Sequence, residues 1–124
     1  MLGAASFVGF IPVRDVAVAR GFYEGVLELR VLEESPFALV LDANGTMLRV
    51  TPVPEFAPQP YTVAGWAVPD IRAAVRALAG KGVQFAQYDG MSQDEAGVWT
   101  SPNGDRVAWF KDPDGNTLSL TAFG

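Results

Sequence analysis

The chain contains no histidine and no cysteine, so any chemistry it performs falls to Asp, Glu, Tyr, Ser, Thr, Lys or Arg. Disulfides, thiolate nucleophiles, zinc-finger sites and the usual general base near neutral pH are thereby removed. The densest polar stretch is FKDPDGNTLSL (110–120), in which Asp112, Asp114 and Asn116 stand at the 1, 3, 5 spacing of a calcium loop. Position 6 of such a loop needs glycine and is Thr117, and position 12 needs a bidentate glutamate and is Phe123, so the calcium reading is rejected. What remains is a proline-containing turn fixed by Asx hydrogen bonds. The adjacent pairs Asp94-Glu95 and Glu33-Glu34 point different ways on exposed turns and are weak evidence for acid/base work. Ser35, Ser92 and Ser101 have no histidine to activate them and no nucleophile elbow. No glycine pattern leads from a strand into a helix as a dinucleotide site demands.

Arg49 is the most informative single side chain. Strand alternation places it on an inner face with Met47 and Thr51, while Leu48 and Val50 face the helices. A guanidinium there needs a partner, and two are open: an anionic group on a small ligand, or an internal ion pair with Asp42 across the hairpin. The same alternation sets Phe10 beside Val8, and Val107 and Trp109 next to Ser119. Such aromatic walls suit a planar or hydrophobic ligand, or else they fill the cup as core. Trp66 falls on the helix side as core, and Tyr23 packs against the sheet with no chemistry assigned. Tyr61, Tyr88, Met91 and Trp99 lie near loops that rim the mouth, and YDGMSQDEAG (88–97) is long enough for a lid.

These residues must be positioned by regular elements, and the periodicity supplies them. FVGFIPV reads as a strand; Asp15 then caps a helix carrying Val18, Phe22, Val26 and Leu27 at helical spacing. Strands follow at 29–33 and 37–42, and Asn44-Gly45 turns the chain into MLRVTPV. Residues 52–61, with four prolines, form a semi-rigid connector that cannot sit inside a sheet. The pattern then restarts. TVAGWAV is a strand, Asp70 repeats the capping position of Asp15, and Ile71, Ala74, Val75 and Leu78 form a helical stripe closed by Gly80 and Gly82. VQFAQY, a polar loop at 89–96, GVWT, the turn SPNGD, RVAWFKD and the final turn and strand complete it.

The order is a duplicated β-α-β-β-β module, 5–53 and 61–123, within a single α+β domain spanning 1–124. Two such modules predict a curved mixed sheet with helices on its outer face and a concave inner cavity for a ligand. Of the residues, 49% are apolar and 19% charged, which places the chain in the globular class. A net charge of −5 with scattered basic residues gives no stripe for phosphates, so nucleic acid and anionic membranes are excluded as partners. Apolar runs stop well short of the ~20 residues of a bilayer span, and the opening MLGAASFVGF lacks the basic region of a signal peptide. The expectation is a soluble, cytoplasmic protein.

VRDVAVARGFYEGVLEL (13–29), VPDIRAAVRALAGKGV (68–83) and FKDPDGNTLSL (110–120) together resemble the vicinal oxygen chelate superfamily, the glyoxalase/bleomycin-resistance/dioxygenase proteins. The resemblance covers nearly the whole chain. It implies four cavity positions that commonly hold His, Gln or Glu around a divalent metal, and by motif these are Val8, Arg49, Val63 and Ser119 here. Valine has no lone pair, serine is a weak neutral ligand, and a guanidinium repels a cation. The resemblance therefore implies a member without metal or other cofactor, binding a small organic ligand, anionic or aromatic, in the manner of the bleomycin-resistance branch. Arg49 would anchor it, Phe10 and Trp109 would wall it, and Val8, Val63, Asp42, Val107 and Ser119 would line it. The alternatives are a metal-independent lyase or isomerase using Arg49 as electrophilic stabiliser with Asp42 or a tyrosine as base, a glyoxalase- or dioxygenase-like enzyme, and a purely structural protein. The family also implies a homodimer.

Overall fold

The computed structural model describes all 124 residues, which divide into two compact units, Met1–Ala57 and Pro58–Gly124. Each unit builds its own four-stranded mixed sheet and lays one helix against it, giving the α+β class and the repeated β-α-β-β-β order.

The first unit runs β1 (Val8–Val13), α1 (Val16–Tyr23), β2 (Arg30–Ser35), β3 (Ala38–Ala43) and β4 (Thr46–Pro52). Its sheet has the order β1-β4-β3-β2, with β1 parallel to β4 and the remaining pairs antiparallel. Asp15 starts α1 as its spacing predicts: its Oδ1 accepts the N–H groups of Ala17 at 2.8 Å and Val18 at 3.3 Å. The buried stripe differs from the expected one. Ala19 and Tyr23 are fully buried, while Val18 is 52% exposed, so the helix is rotated by one residue from the Val18/Phe22 reading. Packing against the sheet decides for the Ala19/Tyr23 stripe, and Phe22, half-buried, supports Tyr23 edge-to-face at 5.2 Å. The helix also stops at Tyr23, so Val26 and Leu27 lie beyond it; the chain reverses with Glu28 in the left-handed region (φ 62°) and the Leu29 N–H bound to the Tyr23 carbonyl at 3.0 Å. Asn44 and Gly45 both take positive φ, 52° and 95°, as a two-residue hairpin turn requires. Ile11, Val13, Leu39, Leu41, Leu48 and Val50 form the core beneath α1.

The second unit repeats the order with β5 (Thr62–Ala67), α2 (Ile71–Ala79), β6 (Trp99–Thr100), β7 (Arg106–Lys111) and β8 (Thr117–Ala122). Its sheet order is β5-β8-β7-β6, and β5 runs parallel to β8. Asp70 Oδ1 accepts the Ala73 N–H at 3.0 Å, and Ile71 and Val75 bury against Ala108, Phe110, Leu118 and Leu120. The β-prone run VQFAQY joins no ladder. One backbone bond, Ala86 N–H to the Trp109 carbonyl at 2.8 Å, holds it beside β7. The Gln93 side chain takes the place of a neighbouring strand: its Oε1 accepts the Tyr88 N–H at 2.7 Å and its Nε2 donates to the carbonyls of Ala86 (2.8 Å) and Gly97 (2.9 Å). No helix is long and apolar enough to cross a membrane.

Candidate functional site

Because side chains alternate along a strand, packing a helix on one face of each sheet leaves the other face to present a fixed set of residues. In the first unit Val8 and Phe10 of β1 lie in register with Met47 and Arg49 of β4, and Val40 and Asp42 of β3 continue the same face. Leu48 and Val50, the residues between, are buried on the helix side. Phe10 is 63% exposed and Arg49 is half-buried. The internal partner considered for Arg49 is not the one Asp42 takes. Register sets Asp42 opposite Met47 on one side and Arg30 on the other. Its carboxylate pairs with Arg30 at 3.5 Å and accepts the Gly45 N–H at 2.7 Å. Arg49 forms no ion pair.

In the second unit the helix-free face carries Val107, Trp109 and Lys111 of β7, matched across the ladder by Thr121, Ser119 and Thr117 of β8, with Gly65 of β5 opposite Ser119. Trp109 is the hub of an aromatic group: Tyr88 meets it at 5.7 Å with the rings nearly perpendicular, and Trp99 at 6.2 Å with the rings tilted by 37°. Beside this group opens a pocket of about 290 Å³ lined by Tyr61, Tyr88, Met91, Trp109, Lys111 and Thr117, among others. Ser119 is 8% exposed, and Gly65 leaves the space its hydroxyl uses; a Cβ at Gly65 would overlap Ser119 Oγ. Val63 sits where the β5–β8 register slips by one residue, so it has no cross-strand partner. Trp66 is opposite Leu120 on the helix side and only half-buried, β5 being an edge strand.

The segment over 89–96 is tethered rather than loose. Besides the Gln93 bonds, Asp94 Oδ1 accepts the N–H groups of Ala96 and Val98, both at 2.9 Å, and Oδ2 accepts from Arg72 at 2.5 Å. Burial alone would raise the Asp94 carboxyl; the Val98 N–H, the Arg72 guanidinium and the Ala96 N–H outweigh it and hold the group below the usual carboxylate range. This network sets Met91 at the pocket wall, through the Gln93 N–H bound to the Met91 carbonyl at 2.9 Å.

The donor sets do not fit a divalent metal. Val8 and Arg49 in the first unit and Val63 and Ser119 in the second, the positions expected from the sequence, offer a divalent ion only one weak neutral hydroxyl, and nowhere do three His, Cys, Asp or Glu side chains gather as ligands. Asp112 in the final turn is occupied: Oδ1 accepts the N–H groups of Asp114 and Asn116 at 2.9 Å each, and Oδ2 accepts from Asn116 Nδ2 at 2.8 Å. Lys111 was not singled out by its sequence, although it is two residues from Trp109 and therefore on its face.

A model of the Glyoxalase/Bleomycin resistance protein/Dioxygenase superfamily matches residues 4–120. A solved member of that superfamily from Sphaerobacter thermophilus DSM 20745 is 24% identical, with a TM-score of 0.75, covering 98% of this chain and 99% of its own. An antibiotic binding protein from Streptomyces sp. CB03234 is 22% identical with a TM-score of 0.74, covering 100% of this chain and 99% of its own. A bleomycin resistance determinant encoded on the transposon Tn5 is 20% identical with a TM-score of 0.75, covering 97% and 98%. At these identities the likeness carries the fold. No curated protein matches the sequence.

Proposed function

The chain belongs to the Glyoxalase/Bleomycin resistance protein/Dioxygenase superfamily, and we propose that it serves there as a metal-independent, cytoplasmic binder of a small organic molecule. The observation that carries this reading is an aromatic surface without a metal-ligand cluster: Trp109 heads a ring group beside an open pocket, and Val8, Arg49, Val63 and Ser119, to which the family's motif carries its metal positions, supply no ordinary ligand set. On the first unit's helix-free face Arg49 anchors an anionic group, with Phe10 and Val8 as the apolar surface beside it and Asp42 at the hairpin end. On the second unit's face Trp109 and Val107 supply the wall, Ser119 supplies a hydroxyl across the ladder from Trp109, and Val63 lies on the adjoining strand β5. An antibiotic binding protein and a bleomycin resistance determinant share this fold with a lactoylglutathione lyase, so the choice of sequestration over turnover rests on the residues of the two faces.

An enzyme built on Arg49 would need a base on the same face, and the acid there, Asp42, is engaged by Arg30 and by the Gly45 N–H. The binding reading is therefore preferred. It is tested by titrating metal-free protein with Zn(II), Ni(II), Mn(II) and Fe(II) in a calorimeter. No tight stoichiometric equivalent is expected, and one tight equivalent of any of them overturns the metal-independent assignment. The protein is taken to work as a homodimer, and a monomeric mass by light scattering at working concentration would remove that part.

A further inference from the structure

The pocket in the second unit carries a chemical preference that the ligand-binding reading leaves open. Resting on that reading, we propose that this pocket selects a flat aromatic monoanion of one or two rings, with Lys111 as its counter-charge. Its volume, about 290 Å³, lies at the lower end of the roughly 300–1,000 Å³ of small-molecule sites, which limits the occupant to a compact ring system. The walls are set for a plate. Tyr88 stands at 78° to Trp109, so a flat ring meets one aromatic face and one aromatic edge, the two contacts that ring quadrupoles favour. Tyr61 is 62% exposed and Tyr88 39%, apolar surface that a ligand would remove from water.

Aromatic walls alone do not fix the sign of the ligand's charge, since ring faces also attract quaternary ammonium groups. Lys111 fixes it. No carboxylate lines the pocket, and Lys111 forms no ion pair with any acid of the chain. A cationic ligand would meet an unopposed ammonium in a partly desolvated site, whereas an anion gains a charge-assisted hydrogen bond from it. Thr117, 5% exposed and directly across the ladder from Lys111, presents its hydroxyl to the same pocket and can donate to the same anion.

The test uses three probes of one shape, 2-naphthoate, 2-naphthalenemethanol and 2-naphthyltrimethylammonium, titrated calorimetrically into the intact protein. Naphthoate is expected to bind about tenfold or more tighter than the alcohol, the worth of one charge-assisted contact, and the ammonium to bind weakest. Lys111→Met should abolish the preference of acid over alcohol, Lys111→Arg should keep it, and Trp109→Leu should weaken both. Lys111 is exposed, so its replacements leave the core intact. If the alcohol or the ammonium binds as tightly as naphthoate, or Lys111→Met leaves the preference unchanged, the aromatic-anion proposal is overturned while ligand binding stands. If Trp109→Leu changes nothing, the pocket is the wrong site and the proposal falls. Binding by none of the three probes overturns the aromatic-anion proposal, while the wider binding reading stands or falls by its own metal titration.

Discussion

Replacing Asp112 by alanine should cost the second unit about 3–5 kcal/mol, although the residue lies in a turn. Three donors converge on its carboxylate, the N–H groups of Asp114 and Asn116 at 2.9 Å and Asn116 Nδ2 at 2.8 Å. Each hydrogen bond to a charged group is worth about 1.5–3 kcal/mol net, but the losses do not simply add, because an orphaned donor that reaches water recovers part of its energy. Asp114 is half-buried and its N–H can be rehydrated. Asn116 is 2% exposed and Asp112 4%, so both Asn116 donors would be stranded out of water at about 1–3 kcal/mol each. Asp112→Asn keeps Oδ1 for the two backbone donors and should cost only about 1–2 kcal/mol. All three tryptophans, Trp66, Trp99 and Trp109, belong to the second unit, so their fluorescence in urea reports on this unit directly. With a urea slope of about 1.5 kcal/mol/M, the alanine variant should lower the midpoint by about 2–3 M and the asparagine variant by about 1 M. A shift below about 0.5 M for alanine, or equal shifts for both variants, would refute the view that buried, charge-accepting bonds hold this turn.

Two further outcomes follow from the packing of the second unit. Gly65→Ala should destabilise by about 1–2 kcal/mol despite alanine's lower unfolded-state entropy, because its Cβ overlaps Ser119 Oγ and stands 3.2 Å from the Ser119 carbonyl oxygen; Gly65→Ala with Ser119→Ala should recover most of the loss, and a neutral single variant in urea unfolding would refute the close approach. Arg72→Leu should cost under about 1 kcal/mol at pH 7, since Arg72 is 48% exposed and the pair is screened by solvent. The Asp94 carboxyl is held below its unfolded value, so its contribution is complete above about pH 4 and lost as pH falls through the folded value; the gap between wild type and variant should close toward pH 2, and a gap constant from pH 7 to pH 2 would assign the loss to packing.

Features with local causes were legible in the amino-acid sequence. Asp15 and Asp70 cap their helices where the chain demands an acceptor for the first N–H groups, and Asn44-Gly45 turns because two consecutive positive φ values leave few other residue choices. The facing of Arg49, Phe10, Val107, Trp109 and Ser119 was legible too, because one residue of slip would turn a buried Leu or Val out to water. What failed to show depends on tertiary partners. In an eight-residue helix the Val18/Phe22 and Ala19/Tyr23 stripes differ by one position, and only packing against the sheet decides between them. Asp42 and Arg49 share a face, yet the register puts Arg30 across from Asp42, and the turn N–H of Gly45 claims the other oxygen. Gln93 binds three backbone groups brought together only in the folded chain, and so VQFAQY loses a ladder that its β-prone residues would otherwise support.

The charge on the second unit's helix-free face gains meaning against the chain as a whole. With Asp and Glu at 14 against nine Lys and Arg, the average surface repels anions, and a ring-lined pocket without basic groups would be left to neutral or cationic ligands. Yet the strand positions of this face, Thr62, Gly65 and Ala67 of β5, Trp99 of β6, Val107, Trp109 and Lys111 of β7, and Thr117, Ser119 and Thr121 of β8, contain one charged residue, and it is Lys111. Net charge acts over a Debye length of about 8 Å and is screened by salt, whereas a contact inside a half-enclosed pocket is screened far less. The local cation therefore governs what is held, and the acidic exterior governs only how fast it arrives. A carboxylate at any of these strand positions would oppose Lys111, so it is their neutrality that lets a single lysine set the pocket's electrostatics.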